Sequence, residues 1–303
     1  MQFFTKDTVN LMLTDTVLRY LHEDKKGMDY GEIELEPGLI EDGKIIDKVT
    51  LLGMVRALIN DKKWKRKNIA ICVPDAFVTL REETVPMQLT QEEIKKYIYF
   101  ELNNSIRLPF KDPVIDFASI EETDEGRRIL LFAYPKERLQ SYIALFEEAN
   151  CKLTVADLSF LSVYRVFKQF ELTRENEHLL LVQWRKTDLV LTVFHANRPI
   201  FNRHIHLSRF DFVESIETTD EFFQDVIEEQ FITIERFLDF YQYSIMNNEA
   251  QINSILLTGD FPNLPYVNKA LNERFNLPVQ TLDSYHELPA KYAELSGLSL
   301  KSQ

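Results

Sequence analysis

V-N-L-M-L-T-D-T-V-L-R, from Val9 to Arg19, reads as two short apolar strands joined by a tight turn at Thr14 and Asp15. Outward from it, a further strand is expected at Gly31–Leu35, a helix with 3.6-residue periodicity at Ile46–Ile59, and a buried strand in the apolar run N-I-A-I-C-V-P at Asn68–Pro74. Strands and helices mixed in this way define an α/β core.

The texture changes after Val85. In P-M-Q-L-T-Q-E-E-I-K-K-Y-I-Y-F-E-L, Thr90 is placed to cap a helix and Glu93 to complete the capping box. Ile94, Tyr97, Ile98 and Glu101 then follow at helical spacing, and the proline in L-P-F at Leu108–Phe110 is expected to stop the helix. Strands at Val114–Ile120 and Arg128–Tyr134 and a helix at Lys136–Ala149 complete a compact insert. The chain returns through Leu153–Val155 and a helix at Leu158–Phe170. The second half opens with strands at Leu179–Trp184, Leu189–His195 and Pro199–Leu207, a second β-meander that suggests an internal duplication. A long helix at Glu221–Ile245 carries Ile227, Phe231, Ile234 and Tyr241 on a stripe that Val226, Phe237 and Phe240 widen, which predicts burial on more than one side. A strand at Asn253–Leu257 and a helix at Tyr266–Phe275 follow.

Composition narrows the function. A net charge of −13 over 303 residues argues against general nucleic-acid binding, which draws its affinity from clustered Lys and Arg. The two cysteines, Cys72 and Cys151, lie outside any metal or redox spacing, so a reducing, cytoplasmic compartment is expected. Cys72, inside an apolar strand, reads as a small core residue. No apolar run approaches the ~18 residues of a membrane span. Asp7 and Asp15 interrupt the start, which does not read as a signal peptide.

Four stretches carry a family resemblance: E-P-G-L-I-E-D-G-K-I-I-D at Glu36–Asp47, N-I-A-I-C-V-P at Asn68, the segment Pro86–Phe110, and Ile255–Asp283 with its N-L-P-V-Q-T-L-D end. In order and spacing they resemble the PilM family, cytoplasmic actin-like proteins of type IV pilus assembly and relatives of the cell-division protein FtsA. The resemblance implies an α/β, actin-like (ribonuclease H-like) fold of two lobes. The first would comprise residues 1–80, 151–178 and 286–303, the inserted subdomain 1C residues 81–150, and the second lobe residues 179–285 with a reduced subdomain 2B between His206 and Asp220. It also implies a scaffold that binds the N-terminal cytoplasmic peptide of the inner-membrane protein PilN in a groove beside 1C and connects that complex to the pilus assembly ATPase. Peripheral contact with the inner membrane and self-association would accompany this role.

Carried over position by position, the resemblance places three damaged nucleotide elements. The first phosphate hairpin usually has Asp where Met12 stands and Gly where Thr14 stands, with Arg19 at a basic position. Asp15 in the turn would repel phosphate. The second phosphate strand usually reads V-D-I-G, but here Gln183 and Arg185 replace the acid and the glycine. Of the adenosine-loop glycines only Gly259 survives, followed by Asp260 and Phe261. Losing both magnesium-organising acids leaves little to hold Mg²⁺. The expectation is a non-catalytic protein with no cofactor and no metal, its cleft filled by Trp184 and Phe261. The alternative is an actin-like ATP-binding protein or weak ATPase with an atypical site. A third reading, the cytoplasmic part of a type II secretion protein of this lineage, normally continues into a membrane helix.

Other candidates carry a functional and a plainer reading side by side. His204 and His206 share a strand face and a spacing that suits a metal, but no third ligand follows nearby, which favours a solvated or packed face. The acidic clusters at Glu121 and Glu217 read as loop surface. The basic run Lys62, Lys63, Trp64, Lys65, Arg66 and Lys67 is either a helix end favoured by cations or a contact with anionic lipid in which Trp64 sits at the interface. Tyr97, Phe100, Leu108, Pro109 and Phe110 are the candidate peptide-groove residues, with packing of the insert onto its lobe as the alternative.

Overall fold

The computed structural model describes residues 8–25, 27–102, 104–207, 220–282 and 288–301, with all their side chains except those of 220–223 and 226. The opening stretch is the expected hairpin. Strands β1 (Thr8–Leu13) and β2 (Val17–Asp24) pair antiparallel with Leu13 opposite Leu18. Thr14 closes the turn, its N–H donating to the Val17 carbonyl at 2.9 Å and its Oγ1 accepting from the Val17 N–H at 3.1 Å. Next come β3 (Gly27–Glu34), a small hairpin of β4 (Ile40–Glu41) and β5 (Lys44–Ile45), and helix α1 (Lys48–Asp61), capped by the Asp47 carboxylate on the N–H groups of Val49 and Thr50. Strand β6 (Asn68–Val73) then pairs parallel to β1.

The insert is a three-stranded antiparallel sheet with one helix: β7 (Thr79–Val85), α2 (Gln91–Glu101), β8 (Pro113–Thr123) and β9 (Gly126–Pro135), in the order β7-β9-β8. Thr90 and Glu93 form the expected capping box. Ile94 and Ile98 of α2 pack on Val85, Ile129 and Leu131 of the sheet. One strand was not expected, and two expectations change. Strand β7, T-L-R-E-E-T-V, has mostly half-exposed side chains and so lacks the apolar signal of a buried strand. Helix α2 ends at Glu101, well before Leu108–Phe110, so the proline there is not what stops it. Helix α3 (Lys136–Glu148) puts Tyr142, Leu145 and Phe146 into the core of the first sheet beside Leu51 and Val55. The insert therefore runs from Thr79 to Pro135, not 81–150.

Strand β10 (Lys152–Leu158) pairs parallel to β6 and completes the first sheet in the order β10-β6-β1-β2-β3. Helix α4 (Ser159–Gln169) packs Phe160, Val163 and Phe167 against Leu179, Leu181, Phe194 and Leu256, all side chains of the second sheet. That sheet holds β11 (Leu179–Trp184), β12 (Asp188–His195) and β13 (Arg198–His206), and after α5 (Asp220–Asp239) come β14 (Ser254–Gly259), α6 (Leu264–Phe275) and β15 (Val279–Thr281). Its order is β13-β12-β11-β14-β15. Each sheet is thus an antiparallel meander whose first strand continues into two parallel strands, and the duplication suggested by the two meanders is present in the backbone.

Alternation along β11 assigns its two faces. Leu180, Val182 and Trp184 meet Ile227, Phe231 and Ile234 of α5, while Leu179 and Leu181 face α4. Helix α5 gives way at Phe240–Ile245 to a π-helical turn, and the Met246 N–H reaches the Tyr241 carbonyl at 2.9 Å, so the expected α-helix to Ile245 is shorter. Helix α7 (Ala293–Lys301) lies so close to α4 that a Cβ on Gly297 would stand 1.8 Å from the Ser162 carbonyl oxygen. The expected shortened segment between His206 and Asp220, including the cluster at Glu217, lies outside the described residues. Among the described residues no helix is long and apolar enough to cross a membrane.

Candidate functional site: the cleft between the two sheets

The β1–β2 turn and the β11–β12 turn line one cleft, together with the β4–β5 turn, the segment after β6 and the end of β13. Met12, Thr14, Asp15 and Arg185 all reach it, and its volume is about 40 Å³. Sites for drug-sized ligands enclose ~300–1,000 Å³.

Arg185 carries the positive charge of this lining. Its N–H donates to the Asp188 carbonyl at 2.8 Å, closing a tight turn straight after β11 and directing the side chain inward. The buried guanidinium reaches Asp188 Oδ1 at 2.8 Å, Asp75 Oδ2 at 3.1 Å and Glu294 Oε1 at 3.4 Å. Its Nη2 also donates to Ser159 Oγ at 2.8 Å. Ser159 in turn donates to Asp75 Oδ2 at 2.6 Å and accepts from Gln183 Nε2 at 2.9 Å, so its hydroxyl is saturated. Burial disfavours the charge on Arg185, but Asp188, Asp75 and Glu294 outweigh it and hold the guanidinium firmly protonated. Glu294 is pushed above the ordinary carboxyl range by burial, against the pull of Arg185 and Arg19.

A second ionic network crosses between the sheets. Arg19 on β2 contacts Asp260, which follows β14, and its Nε reaches Glu32 Oε2 at 2.9 Å. Lys291 closes on Glu32 Oε1 at 2.6 Å, and Asp260 Oδ1 accepts from the Lys186 N–H at 2.9 Å. Burial opposes the Arg19 charge too, yet the Asp260 carboxylate raises its pKa. Gly259 is required for this approach: its φ is +134°, and a Cβ there would stand 1.9 Å from the Trp184 carbonyl oxygen.

The structure corrects what fills the cleft. Trp184 and Phe261 are buried in the core beneath α5, with ring centroids 5.4 Å apart and the Phe261 N–H on the Trp184 carbonyl at 3.1 Å. Strand alternation explains this, because Trp184 points with Val182 to the helix side while Gln183 and Arg185 point the other way. Met12 is buried with Leu21, Tyr292 and Leu295. The places expected to hold phosphate-binding elements are thus occupied by arginine–carboxylate pairs and apolar packing.

One constellation escaped the sequence reading. The Asp15 carboxylate accepts from the Asp42 N–H at 2.7 Å and the Gly43 N–H at 3.0 Å. Burial raises its pKa, and those two hydrogen bonds partly offset the rise. His206 Nδ1 stands 3.7 Å from Asp42 Oδ1, and His204 Nε2 stands 3.7 Å from Asp188 Oδ1. Asp15, Asp42 and His206 bring one ligand atom each within 4.8 Å of one another. The only signal in the sequence was the two-residue spacing of the histidines; the acids facing them come from distant loops.

The remaining candidates are dispersed. Tyr97 lines an open groove of about 560 Å³ with Pro86, Met87, Gln88 and the β8–β9 turn. Leu108 and Phe110 are partly buried against the insert's core, Pro109 is exposed, and Phe100 is 73% exposed. In the basic run, Trp64 is a core residue at 3% exposure, its ring edge-on to Tyr20, so its expected place at a membrane interface is corrected. Lys62 is held by Asp29 at 2.8 Å and lies over the Tyr20 ring, whereas Lys63, Lys65 and Arg66 are exposed.

Two sheets of one repeated topology, with the turns after their first strands meeting in a shared cleft, define the actin-like fold. The model of the family described as type IV pilus assembly protein PilM matches residues 21–225, and the chain belongs to that family. Its backbone is similar to the PilM–PilN type IV pilus biogenesis complex, with a TM-score of 0.79 at 16% identity over 98% of each chain. It is more distantly similar to the ethanolamine utilization protein EutJ of Carboxydothermus hydrogenoformans, with a TM-score of 0.54 at 11% identity over 96% of this chain and 88% of that one. The ADP-bound MreB5 of Spiroplasma citri also gives 0.54, at 8% identity over 97% and 95%. A comparison with curated protein sequences finds no match.

Proposed function

We propose that this chain is a non-catalytic cytoplasmic scaffold of type IV pilus assembly, docking the N-terminal cytoplasmic peptide of a PilN-like membrane protein and linking that complex to the pilus assembly ATPase. Family membership supports the pilus role. The solved PilM–PilN complex, similar over nearly the whole chain, supports the partner. The observation that carries the non-catalytic part is Arg185, buried among Asp75, Asp188 and Glu294 in a cleft of about 40 Å³. A triphosphate placed there would displace the Arg185 ion pairs and meet four lining aspartates in their stead. Localisation at the inner face of the membrane follows from the partner and not from the basic run, because Trp64 is buried.

For the peptide, the insert offers Tyr97 on its groove and the exposed Phe100. An extended peptide would gain affinity from backbone hydrogen bonds and specificity from side-chain pockets. Calorimetry on the purified chain tests both halves: saturable binding of the partner's N-terminal peptide, weakened by Phe100→Ala, and no heat with Mg-ATP. Saturable Mg-ATP binding would restore the alternative of an actin-like ATP-binding protein, and absence of peptide binding would remove the docking role.

A further inference from the structure

Among the described residues the cleft holds more negative charge than its arginine balances. Among the described residues, Asp15, Asp42, Asp75 and Asp188 line it, against Arg185 as the one lining Lys or Arg. Asp75 is 4% exposed, and its Oδ1 is buried without a hydrogen-bond partner among the described residues. A buried carboxylate oxygen in that state is costly unless a cation or a water bound to one completes it.

At the outer side of the same cavity, Asp15, Asp42 and His206 converge with one ligand atom each inside a 4.8 Å span. Two carboxylates and an imidazole form a donor set suited to first-row divalent metals, since the imidazole favours those ions over Mg²⁺ and Ca²⁺. Asp15 is already oriented by two backbone N–H groups, the kind of outer support that fixes a ligating carboxylate. The cavity of about 40 Å³ accommodates an ion with a water, whose own share of volume is ~30 Å³. Two of the ligands come from turns beside the first sheet and the third from β13 of the second.

We propose that the cleft binds one divalent transition-metal ion through Asp15, Asp42 and His206, joining the two lobes where an actin-like ATPase would hold its nucleotide. The ion needs no nucleotide, so the inference stands apart from the partner docking proposed above.

Isothermal titration of the nucleotide-free full chain with Zn²⁺ in a non-chelating buffer tests it, with Co²⁺ absorption reporting the ligands and Mg²⁺ as the competing hard ion. The expected result is one saturable Zn²⁺ equivalent, a thermal transition raised by the metal, and affinity lowered ~10–100-fold or more in both Asp42→Asn and His206→Gln. These side chains are 66% and 36% exposed, so both variants fold without the metal. Absence of a one-to-one isotherm, equal affinity in both variants, or competition by Mg²⁺ at similar concentration overturns the assignment.

Discussion

Replacing Arg185 by Met should destabilise the protein by ~3–5 kcal/mol at neutral pH, because it strands buried carboxylates instead of merely removing a pair. The guanidinium meets Asp188, Asp75 and Glu294 at 2.8, 3.1 and 3.4 Å, with side chains at most 10% exposed. At an effective dielectric near 20 each contact is worth ~5 kcal/mol of attraction. Most of that only offsets desolvation, which is why the net loss is smaller than the sum. For 303 residues, an unfolding entropy of ~2.1 cal/mol/K per residue turns this loss into a fall of ~5–8 °C in Tm. A pH arm separates stranded charge from lost packing. Glu294 has a folded pKa above its ordinary 4.5, so its contribution to stability is fully present below 4.5 and is lost as pH rises through the folded value. Removing Arg185 raises that folded value further. The deficit of Arg185→Met relative to wild type should therefore be smaller near pH 5 than at pH 8, by the share that Glu294 carries. Arg185→Lys, which keeps the charge without the planar fork, should fall between. Urea unfolding at the two pH values provides the measurement. A deficit under ~1 kcal/mol, or one equal at both pH values, refutes the reasoning.

Three further outcomes follow from named contacts. Gly259→Ala should cost at least ~3 kcal/mol in denaturant unfolding, since its Cβ would stand 1.9 Å from the Trp184 carbonyl oxygen at a φ of +134°. Thr90→Ala removes the capping box of α2 and should cost ~1 kcal/mol, read as lower protection of the insert's amides in hydrogen exchange. The two tryptophans, Trp64 and Trp184, are 3% and 0% exposed, so intrinsic fluorescence should be that of buried indoles and unchanged by anionic vesicles. A vesicle-dependent shift would return Trp64 to a membrane interface.

The central strands were legible because their signal is local. Val9–Leu13, Asn68–Val73 and Leu179–Trp184 are apolar runs fully or almost fully buried in the sheets, and such runs carry their meaning without knowledge of neighbours. Strand β7 lacked that signal, since three charged residues in T-L-R-E-E-T-V suit a half-exposed edge. Helix α3 was legible as a helix but not as part of the first core, because amphipathicity does not say which sheet an apolar face will meet. At the cleft, the residue types at positions 183, 185, 260 and 261 were legible, but their partners were not. Arg185 finds Asp75 and Glu294, and Arg19 finds Asp260, across separations that only the folded topology closes. The same limit hid Asp42 from His206. The direction of Trp184 was the exception: alternation from Leu180 already points it away from Arg185, and applying that period would have kept it out of the cleft.

The sheets and the turns between their strands draw their stability from different sources. A β1–β2 pair is held by its ladder and by burial of Val9, Leu11 and Leu13, none of which depends on what the turn presents to the cleft. Turn residues can vary provided that each buried arginine they bring finds an acid. Arginine at 185 on the second sheet's side and arginine at 19 on the first's are each paired to an acid from the opposite half. Opening the cleft would then separate both buried ion pairs at once. Two lobes joined in this way have a favoured spacing set by the chain's own residues, whereas a lobe pair joined by a bound nucleotide sets its spacing by occupancy.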